Sequence, residues 1–216
     1  PVQHFLGSQV SSVLADKFDT KVTVGSVNLG FFNRIIIDDV MMYDQKGDSM
    51  NYASRISAKV SLLPLLNQKI SIASAQLFGL KANLYQQTPQ SKHNFQFVLD
   101  SLASKDTTKH TPLDLHIGSL IIRHGAVKYD KRYIVSKSGV FSPAHISISD
   151  LSTHIIANHI TDDAINLHIK KLAFRDKSGL QLNSLSFKLD ANKREASLKE
   201  FELQLPHSDI TLGDIH

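Results

Sequence analysis

Cysteine is absent from the 216 residues. Disulfides and thiolate chemistry are therefore excluded, and nothing conflicts with an oxidising compartment. Tryptophan is absent too, and aromatic residues make up only 7% of the chain. Lectin-type sites rely on aromatic platforms, so a glycan-binding sandwich is poorly supported. No apolar run approaches the ~20 residues that cross a bilayer as a helix. Charge of one sign is not concentrated: 24 Lys and Arg are interspersed with 20 Asp and Glu, for a net charge of +4. This mild balance has no basic stripe and excludes a nucleic-acid partner. HExxH, GxSxG, P-loop and dinucleotide patterns are also missing, so we expect no enzyme activity and no cofactor. The 11 histidines show no metal-ligand spacing. His116 and His168 each sit in a Leu-His-Ile triplet, at an outer, solvated slot. Asp38-Asp39 and Asp162-Asp163 are adjacent in sequence. Neighbouring strand residues point to opposite faces, so neither pair can work as an acid and base on one substrate.

What is present is an aliphatic rhythm that no helix can use. Apolar residues fall at offsets 0, 2, 5 and 7, with polar residues at offsets 1 and 4. The pattern fits Val22/Val24/Val27/Leu29, Ile70/Ile72/Ala75/Leu77 and Leu115/Ile117/Leu120/Ile122. It recurs at Leu167/Ile169/Leu172/Phe174, Leu180/Leu182/Leu185/Phe187 and Ala196/Leu198/Phe201/Leu203, with a weaker copy at Ile146/Ile148/Leu151/Thr153. Paired steps of two mark a strand with one dry face. The odd step between the pairs shifts phase by one, as a β-bulge does. A random chain of this composition yields about two such matches, so six strict ones indicate a repeated strand unit.

The remaining segments complete a mainly β reading. Residues 2–18 carry Val2, Phe5, Leu6, Val10, Val13, Leu14 and Phe18 at helical spacing. This amphipathic helix either caps the sheet or forms a membrane-proximal stem. Residues 94–104 predict a second short helix, with Asn94 as its N-cap. Asp44–Asp48, His124-Gly125, Ser138-Gly139, Asp176–Gly179 and Ala191–Glu195 read as turns. Leu62–Asn67 reads as a connector broken by Pro64, and Lys69–Tyr85 as two strands around Gly79. Ser104–Pro112 is the most linker-like stretch. The same rhythm on both sides of it favours one continuous unit over residues 1–216, made of a stem (1–20), a first unit (21–104) and repeated strands (105–216). The expected architecture is an extended, curved antiparallel sheet. Its dry face is either closed in a β-sandwich or left as an apolar groove. The chain begins at Pro1 rather than Met, from which we expect a processed chain or a fragment, with any anchor upstream.

Residues 2–104 resemble the N-terminal part of the AsmA/TamB family of bacterial envelope proteins. The order of parts carries the resemblance: the stem VQHFLGSQVSSVLADKF, then TKVTVGSVNLGFFNRIIIDDVMMYDQKGDSMNYASRISAKV, then VSLLPLLNQKISIASAQLFGLKANLYQ, then NFQFVLDSL. The LLPLL connector before an I-x-I-x-S-x-x-L strand, at Leu62–Leu77, is similar to TamB proteins of the Bacteroidetes type. Asn94-Phe95 stands where AsmA relatives often carry Asn-Trp. The resemblance implies a periplasmic protein anchored in the inner membrane upstream of Pro1, and a long β-groove that moves phospholipid toward the outer membrane. For TamB it also implies an Omp85-type barrel as partner. The expected lining for acyl chains is Val22, Val24, Val27, Leu29, Ile70, Ile72, Leu77, Leu115, Ile117, Leu120, Ile122, Leu167, Ile169, Leu172, Phe174, Leu182, Leu185 and Phe187. The alternative is a periplasmic scaffold for outer-membrane assembly, with these faces packed shut.

Overall fold

A computed structural model describes residues 2–61, 70–103, 113–137, 139–160 and 164–215. The Leu62–Asn67 connector, the whole Ser104–Pro112 linker and the Asp162-Asp163 pair lie outside the described residues. In chain order the elements are α1 (Val2–Phe18), β1 (Val22–Thr23), β2 (Ser26–Gly30), β3 (Arg34–Tyr43) and β4 (Ser49–Ser61). Then come β5 (Ile70–Phe78), β6 (Lys81–Gln86), α2 (Gln96–Ala103), β7 (Leu113–Lys131) and β8 (His145–Ile160). The chain finishes with β9 (Ala164–Asp176), β10 (Gln181–Asn192), β11 (Ala196–Leu205) and β12 (Ser208–Leu212).

These 12 strands form one sheet in the order β1-β3-β4-β5-β7-β8-β9-β10-β11-β12, with β2 on β3 and β6 between β4 and β7. The order does not close on itself, and it splits into no second sheet. From β7 onward every pairing is an antiparallel meander, as the turn spacing predicts. The sheet as a whole is mixed rather than antiparallel throughout, because β5 and β6 both run parallel to β7. A parallel neighbour needs a crossover, and α2 lies within it. The two strands around Gly79 are not a hairpin but one broken strand, flanked by β4 and β7 along both halves. Gly79 breaks it with φ +60°, and a Cβ there would lie 2.6 Å from Ser54 Oγ.

The odd steps of the rhythm are bulges. In β8 the step falls at Asp150, where Ser149 to Ser152 face only Arg175 to Ala173 on β9. In β11 it falls at Glu200, opposite the shift between Ser186 and Lys188. In β9 it falls at Lys170, in β10 between Leu182 and Leu185, in β5 at Ala73, and in β7 between Leu115 and Ser119. Asp150 and Glu200 both hold a left-handed backbone at φ 52°. The expected turn at His124-Gly125 is another such bulge, not a turn, with His124 at φ 54° inside an unbroken β7. An extra residue at each step returns the following pair of apolar side chains to the face it would otherwise leave.

Two hairpins share a further device. In Asp44-Gln45-Lys46-Gly47 and Asp176-Lys177-Ser178-Gly179 the glycine N–H donates to the aspartate carbonyl, and the glycine is left-handed, at φ 88° and 98°. Asp44 Oδ1 accepts the N–H groups of Lys46 and Asp48 at 2.9 and 3.0 Å, and its Oδ2 accepts Tyr85 O–H at 2.9 Å. Asp176 accepts the N–H groups of Ser178 and Ser147 at 2.9 and 2.8 Å. Each buried carboxylate thereby ties its turn to a neighbouring strand. Asn94 is similarly engaged and is not an N-cap: its side chain accepts Tyr85 N–H at 2.9 Å and donates to the Asn83 carbonyl at 3.0 Å.

Burial alone would push the Asp44 carboxyl up, but the hydrogen bonds from Tyr85, Asp48 and Lys46 outweigh it and hold it below the ordinary aspartate value. A lowered folded-state value means the stabilisation is complete above the unfolded range, near pH 4, and is lost as pH falls through the folded value. Asp44→Ala is expected to cost about 1–3 kcal/mol at pH 7. In urea titrations the gap to the parent chain should narrow below about pH 4. For the bulges, Asp150→Val is expected to destabilise by roughly 1–2 kcal/mol, because a β-branched side chain resists φ > 0. Asp150→Gly should stay within about 1 kcal/mol of the parent by the same measurement.

Candidate functional site: the apolar face of the sheet

The register aligns the aliphatic residues into rows that cross the strands. One row runs from Val27 through Ile37, Ile56, Leu77 and Ile122 to Thr153. It continues through Leu172, Leu185 and Leu203 to Ile210. Thr153 is the one polar member, and its hydroxyl donates to the Lys171 carbonyl at 2.9 Å. A second row passes Ile35, Ala58, Ala75, Leu120, Ile155, Ile169 and Phe187. Phe187 then stacks on Phe201, with ring centroids 6.4 Å apart. Gly125 lies in this face against Ile122 and Leu151, where an added Cβ would stand 3.1 and 3.2 Å from them.

The face has two regions. At the N-terminal end α1 lies on it. Val10 and Leu14 pack with Val24, Ile35, Met42 and Ile56 around the buried cluster Val22, Val27, Ile37 and Val40. Val22, Val24 and Val27 therefore belong to a closed core and do not line an open groove. Leu29 pairs with Ile35 and so extends the second row onto edge strand β2, where it is 81% exposed.

From β7 to β11 the face is only partly covered. Ile122, Ile169 and Leu182 are buried. Leu77, Leu120, Leu167, Leu172, Phe174, Leu185 and Phe187 are half-buried. Neither helix packs extensively on β8–β12. On β5, Ile70 pairs with Leu113 and Ile72 with Leu115, while Ile117 falls within the register shift of β7; the side chains of Ile70, Ile72, Leu115 and Ile117 lie outside the described residues.

Several members of the face escape a strict rhythm search. Ile35/Ile37/Val40/Met42 in β3 follow the same 0, 2, 5, 7 offsets, and Asp39 at φ 53° occupies the odd step. Ile36, apolar where the pattern asks for a polar residue, hides the copy. Asn51/Ala53/Ile56/Ala58 in β4 repeat it with small and polar members. Pairing with Ile169 brings in Ile155.

On the outer face the adjacent carboxylates of β3 are engaged separately. Asp38 accepts Arg55 at 2.6 Å and Asp39 accepts Tyr52 O–H at 2.6 Å, so each carboxylate has its own partner on β4. Hydrogen bonding to Arg55 outweighs burial and holds Asp38 below the ordinary range. His168 is half-buried rather than fully solvated. Burial, then Lys188 and Lys170, push its pKa down, which favours a neutral ring at pH 7. No group of three or more His, Asp or Glu that could hold a metal ion occurs among the described residues. No described helix is long and apolar enough to cross a membrane. No family model matches the chain, and no curated protein matches it in sequence.

The two regions predict different responses to truncation. Ile37→Ala, beneath α1, is expected to cost about 2–4 kcal/mol in urea unfolding. Leu185→Ala, already partly wet, should cost less than about 2 kcal/mol. Equal losses would mean that the face near Leu185 is as tightly covered as the core.

Proposed function

We propose that this chain is a non-enzymatic lipid conduit segment whose apolar sheet face takes up phospholipid acyl chains. The observation that carries the reading is the row from Leu77 to Leu203, aliphatic except at Thr153, without a charged member, and half-buried except at the buried Ile122 and Thr153. Such a surface is costly to leave in water, and an acyl chain covers it with about 0.8 kcal/mol per buried CH₂. Rows of near-equal aliphatic side chains offer no single deep site, so a bound chain can move along them. In keeping with its resemblance to the AsmA/TamB family, the segment would work in the periplasm. It would be anchored to the inner membrane upstream of Pro1 and pass lipid toward the outer membrane, with an Omp85-type barrel as partner.

One observation favours a second reading, a scaffold for outer-membrane protein assembly. Among the described residues β12 pairs only with β11, and all five of its residues are exposed, which offers an edge able to add a strand from another protein.

Binding of a fluorescent fatty acid to the purified chain distinguishes the two. The lipid reading expects saturable uptake. It also expects loss of at least ten-fold in affinity for Leu185→Asp or Leu172→Asp, with an unchanged circular dichroism spectrum. Ile169 is a poorer position for this test because it is buried. Absence of uptake by the intact parent chain, together with crosslinking from β12 to a partner, would leave only the scaffold.

A further inference from the structure

The β2–β3 hairpin ends in Gly30-Phe31-Phe32-Asn33, and its tip carries three large apolar side chains that the fold does not use. Leu29 is 81% exposed, Phe31 89% and Phe32 88%. The backbone there is unfavourable for those residues. Phe32 and Asn33 both hold left-handed conformations, at φ 57° and 59°. Asparagine tolerates that region, whereas a bulky aromatic adopts it at a cost. The turn thus holds Phe32 away from the sheet without any packing to offset the strain.

The charge around the tip has one sign. Directly behind it Arg34 on β3 stands opposite Lys59 on β4. Arg34 keeps one hydrogen bond, to Ser57 Oγ at 3.2 Å, and Lys59 is exposed. No Asp or Glu occurs between Asp19 and Asp38, nor anywhere from Ser49 to Leu99. The expectation of evenly interspersed charge therefore fails in this part of the chain. An apolar point backed by cations and free of nearby carboxylates complements an anionic lipid surface: the rings enter the interface, and the cations meet the headgroups.

We propose that the β2–β3 tip docks on an anionic membrane surface, with Phe31 and Phe32 inserted at the headgroup level and Arg34 and Lys59 against the lipid phosphates. This attachment is independent of acyl-chain uptake on the sheet face and uses different residues.

Flotation of the full chain with vesicles tests it. Vesicles of mixed phosphatidylglycerol and phosphatidylcholine should carry the protein, and phosphatidylcholine alone should carry much less. The double variant Phe31→Ser/Phe32→Asn should lose at least ten-fold in partitioning, while its thermal midpoint stays the same or rises. Lys59→Gln should weaken binding to the anionic vesicles several-fold and leave the neutral vesicles unaffected. Leu185→Asp should float like the parent, which separates docking from acyl loading. Because tryptophan is absent, Phe31→Trp places a single indole at the tip, and its emission should shift to the blue on anionic vesicles. Failure of the parent to float, flotation of the double variant like the parent, or an unshifted indole would each overturn the proposal.

Discussion

One extra residue per strand governs this fold. A β-strand alternates its faces, so any single-residue slip would turn an apolar stripe outward. Here the slip is built into the sequence and absorbed by a bulge, at Asp150, Lys170, Glu200 and their counterparts. The strand bends, the twist increases, and the aliphatic side chains on both sides of the bulge keep one direction. Strands of 10 to 19 residues can then remain one-faced along their length, which a regular strand of that size would achieve only by being flat. The rows from β7 to β11 follow from this arrangement.

The two ends of the sheet solve the same problem differently. Over β1 to β3 the chain supplies its own cover, since α1 places Val10 and Leu14 on the valine-isoleucine cluster. Beyond β7 no described helix gives equivalent cover. Folding is therefore anchored where burial is complete, and the uncovered part is held by backbone ladders and by carboxylates that lock individual turns. Asp44 and Asp176 show how economical that locking is: each uses two oxygens to secure a glycine turn and a neighbouring strand.

Much of this was legible in the residues, because periodicity is a local property. The 0, 2, 5, 7 spacing located the bulges in β5, β7, β8, β9, β10 and β11, and the meander after Leu113 followed from turn spacing. What escaped depends on distant partners. The parallel joint of β5 and β6 with β7 has no local signature. His124-Gly125 looks like a turn because glycine follows a polar residue, yet its neighbours in β6 and β8 keep the strand running. Asn94 has the chemistry of a cap and is instead drawn to β6. Val22 and Val27 carry the same pattern as Leu172 and Leu185, and nothing in the pattern reveals that a helix lies over the first pair alone. Ile36 masked the copy in β3, since the pattern has a polar residue at that offset.

The open strand order has a consequence for size. A barrel or sandwich must satisfy closure, so its dimensions are quantised by strand number. This sheet has no such condition, and each additional hairpin would attach to the last edge through the same ladder that joins β11 to β12. Every strand added lengthens the sheet by about 4.8 Å without disturbing those already in place. The width of the sheet is therefore set by the number of strands and not by a closure condition.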